Sequence, residues 1–188
     1  AMEFASKQKA KIVCVTSGGK IAEMAKAAGY DCIFIPPGRP PRASFGYSGL
    51  QLFKILHFNG IISDAYKNDL LNAIKLLDAE ESDIQKTAME VAQKFVGKTP
   101  VIYTLGATEG VAVRFRQQIN ENGKMLCWHH VIPEMNHNEL VGWTHKNDNL
   151  IVCAIRNKND FYRSVKRLEV NKSVFEKYTP HYVELHSK

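Results

Sequence analysis

The sequence predicts an α/β protein built from parallel β-sheets flanked by helices, and three observations predict it. Short β-rich apolar runs alternate with stretches of helical periodicity. The runs stop at glycine or proline punctuation, as at Ser17-Gly18-Gly19 and Pro36-Pro37-Gly38. The first strand–helix–strand unit has short turns, as a parallel pair requires.

Taken in order, the N-terminal AMEFASKQKAK reads as the tail of a helix and lacks the charged-then-apolar layout of a secretory signal. KIVCVT, residues 11–16, is the first strand. A helix over 20–28 follows, with Ile21, Met24 and Ala25 on one face, and a second strand over 32–35. The connector 36–48 holds Pro36, Pro37, Pro40 and Pro41 and is expected to be irregular. An amphipathic helix is predicted from about Ser44 to Leu56. Residues 63–96 read as helical throughout, with Ser82-Asp83 capping the second of two helices.

From Thr99 the alternation restarts. Val101–Leu105 is expected as strand, Thr108–Asn120 as helix, Met125–Ile132 as strand and Asn136–Trp143 as a short helix or turn. Leu150–Ile155 is again strand, and Asp160 is placed to cap a helix reaching about Tyr178. His181–Leu185 is the last strand. A strand of this kind normally leads into another helix, so both ends are expected to be cut.

Composition bounds the function classes. The chain has 188 residues, 45% hydrophobic and 23% charged, which fits a folded globular protein. No apolar run approaches the roughly 20 residues that cross a bilayer, so no membrane partner is expected. The formal charge is +6, which suits an anionic partner. Lys and Arg are nevertheless dispersed, and the densest stretch, 158–172, also carries Asp160 and Glu169. Without a basic helix or an aromatic platform, nucleic acid is not expected. Cys14, Cys32, Cys127 and Cys153 lie in apolar strand-like runs with no CxxC pair. Unpaired thiols in a reducing compartment, the cytoplasm, are the expectation.

Three segments carry candidate chemistry. Pro41-Arg42-Ala43-Ser44-Phe45-Gly46-Tyr47-Ser48 sets an arginine at a helix N-terminus, where its planar donors add to exposed backbone N–H groups. In Gln118–Lys124, Glu121 falls at a helix C-terminus and Gly123 is expected to allow the reversal into a strand. A carboxylate there faces the negative end of the helix dipole, which favours its protonated form and can prime a general base. Pro133–Leu140 packs Glu134, Asn136, His137, Asn138 and Glu139 directly after a strand, where α/β sheets bind ligands. His129 and His130 point to opposite faces of a strand, so the spacing matches no metal-ligand pattern and no metal is assigned.

The segments TSGGK, IPPGRPPRASFGYS, GVAVRFRQQINENGK and PEMNHNELVGW resemble the phosphoglucose/phosphomannose isomerase branch of the sugar isomerase (SIS) superfamily. The resemblance implies SIS-type five-stranded parallel sheets in flavodoxin-like three-layer units. On that reading residues 1–48 are the C-terminal part of a first SIS domain, 49–98 a helical connector, and 99–188 a second SIS domain lacking its last helices. It implies interconversion of glucose 6-phosphate and fructose 6-phosphate, and often mannose 6-phosphate, by a dimer with no cofactor. Glu121 would be the base that moves a proton between C2 and C1, His137 would assist ring opening, and Arg42 would stabilise the enediolate. Glu134 and Glu139 rank below Glu121 as bases. Ser17, Gly18 and Gly19, through backbone N–H groups, together with Pro41 and Asn136, are candidate substrate contacts.

The sequence also departs from the family. Its Ser-Gly-Asn-Thr phosphate turn has no counterpart here, nor do the C-terminal helices that carry a catalytic lysine. The competing reading is a SIS-type module that binds a phosphosugar without turning it over. Retention of Glu121, His137 and Arg42 together favours the enzyme, because a sensor needs no base.

Overall fold

In a computed structural model, which describes residues 1–187, the chain forms two compact units, residues 1–79 and 80–188. The first begins with helix α1 (Met2–Lys7), followed by strand β1 (Val13–Thr16), helix α2 (Gly19–Ala28) and strand β2 (Asp31–Phe34). β1 and β2 pair in parallel, with Cys14 opposite Cys32. α2 ends at Gly29, whose φ of 69° is the left-handed cap conformation that favours glycine. The proline connector contains a 3-10 turn, Pro41–Ala43, that leads into helix α3 (Phe45–Phe58).

Residues 66–95 form one helix, α4 (Tyr66–Phe95), and not two. The expected break at Ser82-Asp83 is absent because the segment contains neither Gly nor Pro, and exposed Ser and Asp are tolerated inside a helix. α4 runs from the first unit into the second.

The second unit contains strand β3 (Thr99–Leu105), helix α5 (Glu109–Asn122), strand β4 (Trp128–Ile132) and the short helix α6 (Glu134–Asn138). A 3-10 turn (Leu140–Gly142), strand β5 (Leu150–Arg156), helix α7 (Tyr162–Phe175) and strand β6 (Tyr182–His186) follow. The sheet is all parallel with order β4-β3-β5-β6, so among the described residues it has four strands where the resemblance implies five. β3 and β5 are central and buried on both faces, which is why VIYTL and LIVCAI read as continuous apolar runs instead of alternating ones.

Two half-cores sandwich this sheet. Val91 and Phe95 of α4 and Ala112 of α5 pack with Ile102, Ile151 and Cys153 on one face. Met135, Trp143, Leu168 and Phe175 pack with Val101, Tyr103 and Val152 on the other. The unit is therefore three-layered, with α4 and α5 on one side and α6 and α7 on the other. Each fully buried side chain of this size contributes about 1.5–3 kcal/mol.

Two local expectations are corrected. Asp160 does not cap α7: the residue before that helix is Phe161, which makes no side-chain cap bond. Its Oδ2 instead accepts from the Asn157 N–H at 2.8 Å and from Arg156 Nε at 3.3 Å, drawn by a guanidinium stronger than a helix terminus. Nor does Gly123 make the reversal after α5. Its φ is −75°, and the residue in the left-handed region is Lys124, at φ 56°.

Candidate active site

Within the first unit, both strand ends leave the same edge of the parallel pair. After β1, Gly18 adopts φ 136°, a backbone region that favours glycine. Thr16 Oγ1 takes the Gly18 N–H at 3.2 Å and donates to its carbonyl at 2.9 Å. This exchange engages one of the backbone donors proposed for a ligand. After β2, the connector carries Pro41 and Arg42 into the 3-10 turn just ahead of α3, as the sequence predicts. Buried Ser44 fixes that turn, with its Oγ donating to the Pro40 carbonyl at 3.2 Å. Arg42 itself is half-buried.

In the second unit Glu121 stands one residue before the end of α5, exposed, as the periodicity indicates. The following turn is shaped by close approach. A Cβ on Gly123 would lie 2.8 Å from the Ile119 carbonyl oxygen, and Lys124 Nζ donates back to the Glu121 carbonyl.

His137 is on α6, immediately beyond the C-terminal end of β4. α5 packs against one face of the sheet, with Ala112 in that half-core, and α6 against the other, with Met135 in the second. The structure therefore brings Asn136 beside His137 but does not bring Glu121 to His137 within one copy of this unit.

Around His137 lies a polar network that sequence reasoning did not single out. The Tyr103 hydroxyl, reaching across from β3, donates to Glu139 Oε1 at 2.6 Å and accepts from Trp143 Nε1 at 3.0 Å. Trp128 Nε1 donates to the same Glu139 oxygen at 3.2 Å. Burial, then the Glu139 carboxylate, raises the Tyr103 pKa far above the ordinary phenol value, so the hydroxyl remains a donor. Glu139 is thereby engaged by two donors from the sheet. Glu134 is exposed, with one long contact from Asn138 Nδ2 at 3.5 Å.

Asn136 and Asn171 exchange amide hydrogen bonds at 2.7 and 3.1 Å, which commits much of the Asn136 side chain. The same two residues line a shallow cleft of about 390 Å³ with Arg163, Lys166 and Arg167. One signal pointed to Asn171: it falls on the buried face of α7, three residues after Leu168 and four before Phe175.

His129 is held below its ordinary pKa, first by burial and then by the Arg116 charge. Among the described residues no three of His, Cys, Asp or Glu come together to hold a metal ion. No disulfide links the cysteines; burial pushes the Cys127 thiol up to about 11 and Cys153 up to about 12. No helix among the described residues is long and apolar enough to cross a membrane.

The layered parallel sheet is of the SIS type. A candidate phosphosugar isomerase from Clostridium difficile 630 superposes with a TM-score of 0.67 at 16% identity, over 97% of this chain and 53% of that one. That likeness concerns the fold. The family follows from sequence: residues 84–188 match the bacterial phospho-glucose isomerase C-terminal SIS domain, and the chain belongs to that family. A bifunctional phosphoglucose/phosphomannose isomerase of Aquifex aeolicus is 31% identical over 168 residues, covering 88% of this chain and 50% of the relative. A D-glucosamine-6-phosphate 4-epimerase of Sulfolobus acidocaldarius is 30% identical over 146 residues, covering 77% of this chain and 46% of the relative. The chain spans about half the length of the curated relatives it matches.

Proposed function

We propose that the chain is part of a cytoplasmic sugar-phosphate aldose–ketose isomerase that interconverts glucose 6-phosphate and fructose 6-phosphate, and accepts mannose 6-phosphate. This interconversion serves glycolysis and gluconeogenesis. The observation that carries the reading is membership of the bacterial phospho-glucose isomerase family over 84–188, the stretch that contains both Glu121 and His137.

In the proposed reaction His137 passes a proton between the ring oxygen and the C1 hydroxyl, opening the sugar. The Glu121 carboxylate takes the C2 proton, leaving an enediolate; the O2 hydroxyl proton passes to O1, and Glu121 returns its proton to C1 as the carbonyl forms at C2. Negative charge builds on oxygen between those steps, and the fixed guanidinium of Arg42 stabilises it. No redox partner is consumed, because the oxidation of C2 and the reduction of C1 balance within one molecule. Substrate contacts are assigned to the turn Ser17-Gly18-Gly19, to Pro41 and to Asn136. The domain reading stays as the resemblance implies, with residues 1–48 closing a first SIS domain, 49–98 connecting and 99–188 in a second.

We also propose a homodimer. It is supported by the packing of the helices that carry Glu121 and His137 on opposite faces of one sheet, which a second copy supplying its own histidine would overcome.

The test is a coupled assay of fructose 6-phosphate conversion, with mannose 6-phosphate and glucosamine 6-phosphate in parallel. It is run on the chain as given and on a version extended to its relatives' length. Glucose 6-phosphate formation in the extended protein is expected. Epimerisation of glucosamine 6-phosphate at C4 instead would move the function to that of the Sulfolobus relative. Phosphosugar binding with no turnover of any substrate would leave only the binding module.

A further inference from the structure

Resting on the assignment of His137 above, we propose that Glu139 and Asn171 are positioning residues that hold His137 in its reacting orientation. The helix that carries the histidine, α6, has five residues, too few to be stable alone. Its shape must come from what grips it, and two polar grips flank the histidine: Asn136 one residue before and Glu139 two residues after.

The first grip comes from α7. Asn171 is 1% exposed, packed in helical register between Leu168 and Phe175. An amide in such a place is costly unless both its donor and acceptor are met. Both are met by Asn136, at 2.7 and 3.1 Å, and Asn171 Nδ2 also contacts Met135 Sδ at 3.9 Å. A leucine there would satisfy the core without any partner. What the amide adds is a bidentate hold on the residue next to His137.

The second grip comes from the sheet. Glu139 Oε1 receives Tyr103 Oη at 2.6 Å from β3 and Trp128 Nε1 at 3.2 Å from the start of β4. The phenol is itself immobile: it is fully buried, stacked on Phe175 at 4.9 Å and bonded by Trp143 Nε1 at 3.0 Å. Phe175 lies one helical turn beyond Asn171, so both grips are rooted in the same packed layer of α7. His137 is exposed between them. The arrangement fixes the backbone of a histidine while leaving its imidazole open to a ligand.

The experiment is a set of double-mutant cycles in the chain extended to its relatives' length, read as kcat and KM for fructose 6-phosphate with melting temperatures alongside. Glu139→Ala and Asn171→Leu are each expected to lower kcat on the order of 10–100-fold, the cost of displacing a reacting group by about 1 Å. KM should stay within about two-fold in Glu139→Ala and rise in Asn171→Leu, which releases the proposed substrate contact Asn136. Glu139→Gln should keep most of the rate, because its Oε1 still accepts from Tyr103. In a His137→Ala background neither substitution should lower kcat further, because each acts on the rate through that imidazole.

Unchanged kcat in both single variants would overturn the proposal. So would an equal loss with and without His137. Parental turnover in His137→Ala alone would remove the histidine assignment first, and the proposal with it. Where Glu139→Ala does not fold, Tyr103→Phe, which deletes the donor and keeps the ring, enters the same cycle and is read in the same way.

Discussion

Tyr103 shows how one atom can tie a strand to a loop and stay invisible in sequence. In VIYTL the residue reads as one more bulky strand former, and nothing local states that its hydroxyl joins Glu139, 36 residues on. The consequence is measurable through pH. Burial raises the pKa of Tyr103 above the ordinary value of 10, and burial with Glu184 does the same for Tyr182. The unfolded chain therefore releases protons near pH 10 that the native state retains. Bound protons then favour the native state below that pH, and stability falls as pH rises above it. The urea midpoint should drop between pH 9 and pH 11, and by less in Tyr103→Phe. Absorbance titration should show these two phenols ionising only on unfolding. An equal midpoint drop in Tyr103→Phe would mean that this phenol ionises freely. Tyr103→Phe should also cost about 1–3 kcal/mol at neutral pH, since Glu139 and Trp143 each lose a buried partner.

At the scale of elements, most of the fold was legible because its signals are periodic and local. β3 and β5 announce themselves as apolar runs, and α2 is bounded by glycine at both ends. The failures are at boundaries, where two meanings of the same residue compete. Ser82-Asp83 has the composition of a cap, but a cap needs a preceding chain that leaves the helix, and no Gly or Pro turns it out. Asp160 likewise has a cap's chemistry and is drawn to Arg156 instead. Gly123 is a third case, with the glycine required by space and not by φ. Its Cβ would meet the Ile119 carbonyl oxygen at 2.8 Å, a backbone atom that cannot swing aside. Gly123→Ala should therefore destabilise the protein by about 1–3 kcal/mol, as overpacking does. Thermal melting measures this directly, and an unchanged melting temperature would show that the turn relaxes freely. The same turn carries Glu121, so the substitution should also reduce turnover more than it reduces stability at assay temperature.

On the scale of the whole molecule, the sequence offered candidate reacting residues but not on which layers the fold sets them. Glu121 and His137 are sixteen positions apart in a chain whose motifs read as one site. α5 and α6 nevertheless pack on opposite faces of a parallel sheet, because the chain crosses from one layer to the other through β4. Spacing alone does not show this; topology does. The proposed dimer turns that geometry into a sharp prediction. Glu121→Gln should lower turnover on the order of 10²–10⁴-fold while sparing ligand binding, the usual scale for losing a general base. His137→Ala should be similarly impaired. Co-refolding the two inactive variants in equal amounts, at the length of the relatives, produces mixed dimers as half of the population. In each mixed dimer one site pairs the intact glutamate of one subunit with the intact histidine of the other. Activity should then recover to about a quarter of the parent level. Sites built within one subunit contain at least one damaged residue in every species and would recover nothing. Absence of recovery, with dimer exchange verified by a mass label, would therefore place both residues in one subunit and require a rearrangement of α5 or α6 before chemistry.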